Sequence, residues 1–204
     1  NASSVEHVEY VNSNDDDLTL AAKAQAAGVV SATVNGTTGD INASGYTSTV
    51  GLTLTAGTGT SDLTGGDGAD SLVGGDGVNT IKTSEGNDTI TGGAGDDNFE
   101  VDGDNKQTVA ITDFGTGGNE SLKVNANATV NVTISAAAGV TADNADQLGV
   151  VNVTITDGVS GGSTVSFDAI GGGAGEKGFN ITSADNDNGI TITGSKEGDT
   201  IVAG

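Results

Sequence analysis

The sequence predicts an all-β chain, a parallel β-solenoid whose short strands are joined by Gly/Asp-rich turns. Three observations carry this reading: short β-branched runs in which apolar residues alternate with polar ones, turn-forming residues between the runs, and a repeat of nine residues in mid-chain. Composition alone does not decide between folded and disordered. Leu, Ile, Val and Phe number 44 of 204 residues, close to the ~20% typical of highly charged disordered chains. The alternation decides it.

Taken in order, residues 1–55 read as N-terminal solenoid coils, with strands at Val5 to Val11, around Leu18/Leu20 and around Leu52/Leu54. Ala21 to Ala27 is helix-competent but too short to stand alone. Residues 56–100 hold the nonapeptides. Residues 101–180 continue the solenoid in Thr/Asn-rich strands around Val109/Ile111, Val130/Val132/Ile134, Val151/Val153/Ile155 and Phe179 to Thr182. A second short helix is expected from Ala142 to Leu148 behind a Thr141 cap. Residues 181–204 begin a second repeat block, with Ile190/Ile192 leading into residues 194–202. The chain thus reads as two passes of one plan.

The net charge of −22, from 28 acids against six Lys and no Arg, repels phosphate and excludes nucleic acid as a partner. No run approaches the ~18 apolar residues of a membrane helix, so no membrane insertion is expected. The absence of Cys excludes a disulfide scaffold, a thiolate metal site and a cysteine nucleophile. The absence of Met leads us to expect a processed form or a fragment.

From Gly65 to Glu100 four nonapeptides follow without a gap: GGDGADSLV, GGDGVNTIK, TSEGNDTIT and GGAGDDNFE. The fourth place is Gly68, Gly77, Gly86 and Gly95. The sixth is Asp70, Asn79, Asp88 and Asp97, and the eighth is Leu72, Ile81, Ile90 and Phe99. A degenerate copy precedes them at 56–64, and another closes the chain with Asp199 and Ile201 in register. Six Gly/Asp-rich residues make a turn and three make a short strand. Two units make one coil, with neighbouring coils about 4.8 Å apart. The eighth-place side chains should then stack inward, Leu72 over Ile90 and Ile81 over Phe99. The turn glycines are expected to take φ > 0 and to approach the next coil closely.

This stacking brings Asp70 near Asp88 and Asn79 near Asp97. Stacked carboxylates repel unless a cation lies between them. With turn carbonyls pointing into the same gap, the cage is all oxygen, which suits Ca²⁺. The expected side-chain ligands are Asp70, Asp88, Asn79 and Asp97. Carbonyls of Gly66, Gly68, Gly75, Gly77, Ser84, Gly86, Gly93 and Gly95 would complete the coordination. The Asn79/Asp97 row carries one charge less and should be the weaker site.

These nonapeptides resemble the G-G-x-G-x-D-x-U-x pattern of the repeats-in-toxin (RTX) family, whose repeats form calcium-loaded β-rolls in secreted bacterial proteins. Thr83-Ser84 and Asn79 depart from the pattern. The segment from Val109 to Gly115 and on to Leu122 also looks like the one that often follows such repeats. The Thr/Asn-rich strands on either side resemble the solenoid bodies of RTX-type bacterial S-layer proteins. That resemblance implies type I secretion, an extracellular or cell-surface location, and calcium-dependent self-assembly.

The remaining motifs read as structure. His7 is the lone histidine, too few for a His₂ zinc site and without a nucleophile beside it; it reads as a surface or strand residue. The G-x-G-x-x-G at Gly173 to Gly178 precedes a strand rather than a helix, so it is a turn. Asp185 to Gly189 fails as an EF-hand because Lys196 stands where the bidentate Glu belongs. Asp15 to Asp17 reads as a solvated turn. With only two Tyr, four Phe and no Arg, the chain shows no catalytic constellation, and no enzyme is expected.

The expected function is that of an extracellular structural protein, a calcium-stabilised building block of a bacterial surface layer or filament. Self-association is expected, with cell-surface polysaccharide a further candidate partner. The alternative is a calcium-binding folding or secretion module, or a stalk, of a larger secreted RTX toxin, enzyme or adhesin. The stop in mid-repeat at Ile201 to Gly204 suggests either more chain or head-to-tail stacking of subunits.

Overall fold

The computed structural model describes residues 5–11, 17–101, 108–113, 120–124, 129–134, 140–141, 150–155, 164–166, 178–183 and 191–202. The chain enters through β1 (His7–Tyr10), β2 (Leu18–Thr19), α1 (Ala22–Ala27), β3 (Ser31–Val34), β4 (Ile41–Asn42) and β5 (Thr53–Thr55). The repeat block then supplies β6 (Asp62–Thr64), β7 (Ser71–Val73), β8 (Thr80–Lys82), β9 (Thr89–Thr91) and β10 (Asn98–Val101). Beyond it come β11 (Thr108–Ile111), β12 (Ser121–Val124), β13 (Thr129–Ile134), β14 (Val140–Thr141) and β15 (Val150–Ile155). The described strands end with β16 (Thr164–Ser166), β17 (Phe179–Ser183), β18 (Thr191–Thr193) and β19 (Thr200–Val202).

The strands are dealt alternately onto two faces. One sheet of ten runs β1-β3-β5-β7-β9-β11-β13-β15-β17-β19, and a sheet of six runs β12-β10-β8-β6-β4-β2 on the other side. A third sheet is made of β14-β16-β18. Every pairing among the described strands is parallel. A parallel ladder needs a crossover between its strands, and here the crossover is the opposite strand with its two turns. The result is the predicted parallel β-solenoid.

Within the repeat block each coil advances 18 residues, as the side-chain-to-backbone bonds between stacked turns show. Outside it the register of paired strands advances by 20 to 28 residues, from Asn180 to Thr200 at the short end and Val151 to Phe179 at the long end. The longer coils carry extra turn residues and, in one case, a helix. α1 has no side-chain cap at its start; Gly28 ends it in the left-handed region (φ 79°), its N–H bonding the carbonyls of Ala24 and Gln25. Too short to persist alone, it is held by Ala24 and Ala27 packing on the core.

The core is one ladder of inward side chains. Leu54, Leu72 and Ile90 are in register on one face, and Leu63, Ile81 and Phe99 on the other; all are buried. A three-residue strand places only its middle side chain inside, so one residue per strand carries most of the apolar burial. The expected pairs Leu72/Ile90 and Ile81/Phe99 are therefore present. Thr141 lies in β14, and the helix expected after it falls outside the described residues. Phe179 opens a strand, as expected after the glycine-rich turn.

The glycine expectation needs a correction. Of the repeat-block glycines only Gly86, Gly93 and Gly95 take a positive φ. Gly66, Gly68, Gly75 and Gly77 do not, yet they are equally constrained by clearance. A Cβ on Gly75 would collide with the carbonyl of Gly57 one coil away, and one on Gly68 would lie 2.5 Å from the carbonyl oxygen of Val50. Close coil-on-coil approach, more than backbone handedness, demands glycine here.

Candidate calcium-binding turns

The sixth residue of each nonapeptide sits at the foot of a strand, where the turn bends inward. Its side chain is buried: Asp70, Asn79, Asp88 and Asp97 are each at most 3% exposed. Each reaches back one coil. Asp70 Oδ1 accepts the Leu52 N–H at 2.7 Å, Asp88 Oδ1 accepts the Asp70 N–H at 2.8 Å, and Asp97 Oδ1 accepts the Asn79 N–H at 2.8 Å. Asn79 Oδ1 accepts the Ser61 N–H at 3.2 Å. The two rows expected from the sequence, Asp70/Asp88 and Asn79/Asp97, are thus brought together by direct hydrogen bonds.

What each side chain does with its second polar atom separates the rows. Asp70 Oδ2 accepts the N–H of Gly66 in its own turn at 2.7 Å. Asp88 Oδ2 and Asp97 Oδ2 are buried with no partner. Asn79 turns its amide nitrogen into the oxygen cage. It donates to the carbonyls of Gly77 at 2.7 Å and of Gly75 and Gly92 at 3.4 Å, and to Asp97 Oδ1 at 3.1 Å. Since Oδ1 is committed to the Ser61 N–H, this orientation of the amide is set by its neighbours. In that turn the amide supplies the positive partner that a cation would supply.

The electrostatics follow from burial. Desolvation raises the Asp70 and Asp97 carboxyls above the usual range, against backbone hydrogen bonds that lower them. For Asp88 burial dominates and pushes the group up to about 7. An ionised carboxylate with an unpartnered buried oxygen is costly, by several kcal/mol in a dry site. Calcium fits what is missing. The donors are oxygen only, the orphaned atoms are carboxylate oxygens, and carbonyls of the predicted set, such as Gly75 and Gly77, line the same turns. Among the described residues no three His, Cys, Asp or Glu side chains group tightly enough to hold an ion unaided. Any ion there must draw on main-chain carbonyls, as hard Ca²⁺ readily does. Asp70, Asp88 and Asp97 would supply the charge, and the turn carbonyls the rest.

Two features escaped the sequence reading. Asn79 was expected only to weaken its row; its amide in fact fills the cage. Glu120, 3% exposed, stands directly after Asp97 in the same row, because β10 pairs with β12 through Asn98 and Ser121. It accepts the N–H of Asp97, as each sixth residue does from the coil before it. Burial, with Asp97, Asp113 and Asp96 nearby, pushes it up to about 9. The signal was present in residues 115–123, GTGGNESLK, which keep a fourth-place glycine, a sixth-place acid and an eighth-place leucine.

Other motifs fall where a structural reading puts them. His7 is exposed on β1, its Nδ1 bonded to Ser31 Oγ at 2.8 Å. Asp199 accepts the Phe179 N–H at 2.8 Å, so the closing repeat reproduces the sixth-place bond. The segment 185–189 and most of the Gly173–Gly178 motif lie outside the described residues, as do Asp15 and Asp16.

A stack of parallel strands with buried carboxylates in glycine-rich turns is the architecture of a β-solenoid with candidate calcium sites between its turns. The RTX calcium-binding nonapeptide repeat model matches the chain in four copies, over residues 53–81 and 73–105. This block is thus a set of RTX repeats, calcium-binding motifs that occur in secreted bacterial proteins, and together with the parallel solenoid it supports an RTX β-roll. No curated protein and no solved structure matches the chain.

Proposed function

We propose that this chain is an extracellular structural protein, a calcium-stabilised building block of a bacterial surface layer or surface filament, with no enzymatic activity of its own. The observation that carries the calcium dependence is the pair of buried, unpartnered oxygens on Asp88 and Asp97. The structural role is supported by the continuous ladder of parallel strands from β1 to β19, in which each coil stacks on its neighbours. No helix among the described residues is long and apolar enough to cross a membrane.

Calcium acts in this reading as a folding switch. Where calcium is scarce the acidic chain stays open and fit for export; outside the cell, binding energy becomes folding energy. Each ion also removes two charges from a chain of net −22, which lets copies approach one another. A calcium titration followed by far-UV circular dichroism and light scattering on one sample tests this. The expected outcome is a coil-to-β transition reversed by chelator, with rising scatter. Folding without scatter would shift the assignment to a module or stalk of a larger secreted protein. A chain fully β in chelator would sink the switch.

A further inference from the structure

The Asn79/Asp97 row does not stop at the last tandem nonapeptide. Glu120 continues it by one rung, in register over Asp97 and accepting its N–H. Two carboxylate oxygens on these adjoining rungs, Asp97 Oδ2 and Glu120 Oε1, are buried without a hydrogen-bond partner. Asp113 lies close to Glu120 but is otherwise engaged, its two oxygens accepting the N–H groups of Gly92 at 2.9 Å and Gly93 at 2.7 Å. Asp96 adds a further negative charge near Glu120. One rung earlier the Asn79 amide satisfies the cage by itself. The unmet demand for positive charge in this row therefore rests on Asp97 and Glu120, whose charges act on each other.

We propose that Asp97 and Glu120, together with carbonyl oxygens of the 92–96 turn, form a further divalent-cation site outside the nonapeptide block, and that it takes calcium. The proposal rests on the calcium reading of the repeats but assigns a ligand that the nonapeptides do not contain. The buried carboxylate oxygens exclude a soft-metal preference, since no nitrogen or sulfur side chain is among these groups. Glu120 thus ties the flanking strand β12 to the repeat block through a shared ion. Calcium loading should order that junction as well as the roll.

Calcium binding to the full chain, measured by isothermal titration with the count checked by equilibrium dialysis, tests this with Glu120→Gln and Asp88→Asn. Glu120→Gln should lose one bound ion per chain and, in chelator, melt higher than the unaltered protein, since the cost of burying that carboxyl group is gone. Glu120→Asp, which keeps the charge with a shorter reach, should keep the count and bind more weakly; it serves if the Gln variant does not fold. If Glu120→Gln and Glu120→Asp both match the unaltered protein in count and affinity while Asp88→Asn loses an ion, the Glu120 site is overturned and the roll stands. If the unaltered chain binds no calcium, the reading of the repeats fails and this site fails with it.

Discussion

The two rows of turns share one backbone plan and differ in how they meet the charge they bury. In the Asp70/Asp88 row, two acids are stacked and Asp88 is left with an orphaned oxygen. In the Asn79/Asp97 row an amide replaces one acid and hydrogen-bonds the very carbonyls an ion would use. The first row is incomplete without a cation; the second is complete at Asn79 and incomplete only from Asp97 onward. A single Asp-to-Asn difference therefore moves the demand for calcium along the stack.

The largest effect should come from the glycines that let the rows stack. Gly86, in the Asp88 turn, has φ +113° and its added Cβ would run into the carbonyl group of Gly68. Gly77 holds the same place in the Asn79 turn without a positive φ, though its Cβ would lie 2.5 Å from the carbonyl carbon of Gly59. Gly86→Ala should cost about 3 kcal/mol or more, strain adding to the clash, with Gly77→Ala costing measurably less. Denaturant unfolding in saturating calcium measures both. Equal losses would mean that clearance alone matters.

Exchanging the charges of the rows gives the next effect. Asn79→Asp should strengthen calcium binding and destabilise the calcium-free chain, since it removes the amide that satisfies the cage and adds a buried charge. Asp88→Asn should do the reverse in its own row. Paired melting curves with calcium and with chelator test the crossing of signs. Two variants that shift in the same direction under both conditions would end the idea that amide and ion are interchangeable.

A separate test is the pH dependence of the calcium-free fold. Burial holds Asp88 at about 7 and Glu120 at about 9, against ordinary values of 3.8 and 4.5. The folded chain then holds more protons than the open chain between those limits, so stability falls as pH rises through them. In chelator the protein should melt higher at about pH 5 than at about pH 8, and Asp88→Asn should flatten the lower part of that slope. Rising stability over the same range would contradict it.

Much of this was legible in the sequence because the nonapeptide is nearly a direct image of the coil. Position eight names the ladder, position six names the row, and a period of 18 fixes which residues meet. What stayed hidden lay where the period breaks. Glu120 lies 23 residues beyond Asp97, so an 18-residue rule does not pair them, although β10 and β12 do. β3 was missed because Ala32 fills its place in the core with too little bulk to register as alternation. The Asn79 amide could not be read from letters, since its role depends on which of its two polar atoms faces the carbonyls.

Each sixth-place side chain takes its hydrogen bond from the coil before it, never from the coil after. The stack is therefore an arrow. A coil contributes N–H groups toward one neighbour and carboxyl groups toward the other, so its two faces are not interchangeable. Reversing one segment on another would set carboxylate against carboxylate and donor against donor. Any continuation of such a column by another of its kind keeps one sense throughout, as in a filament whose subunits all point the same way.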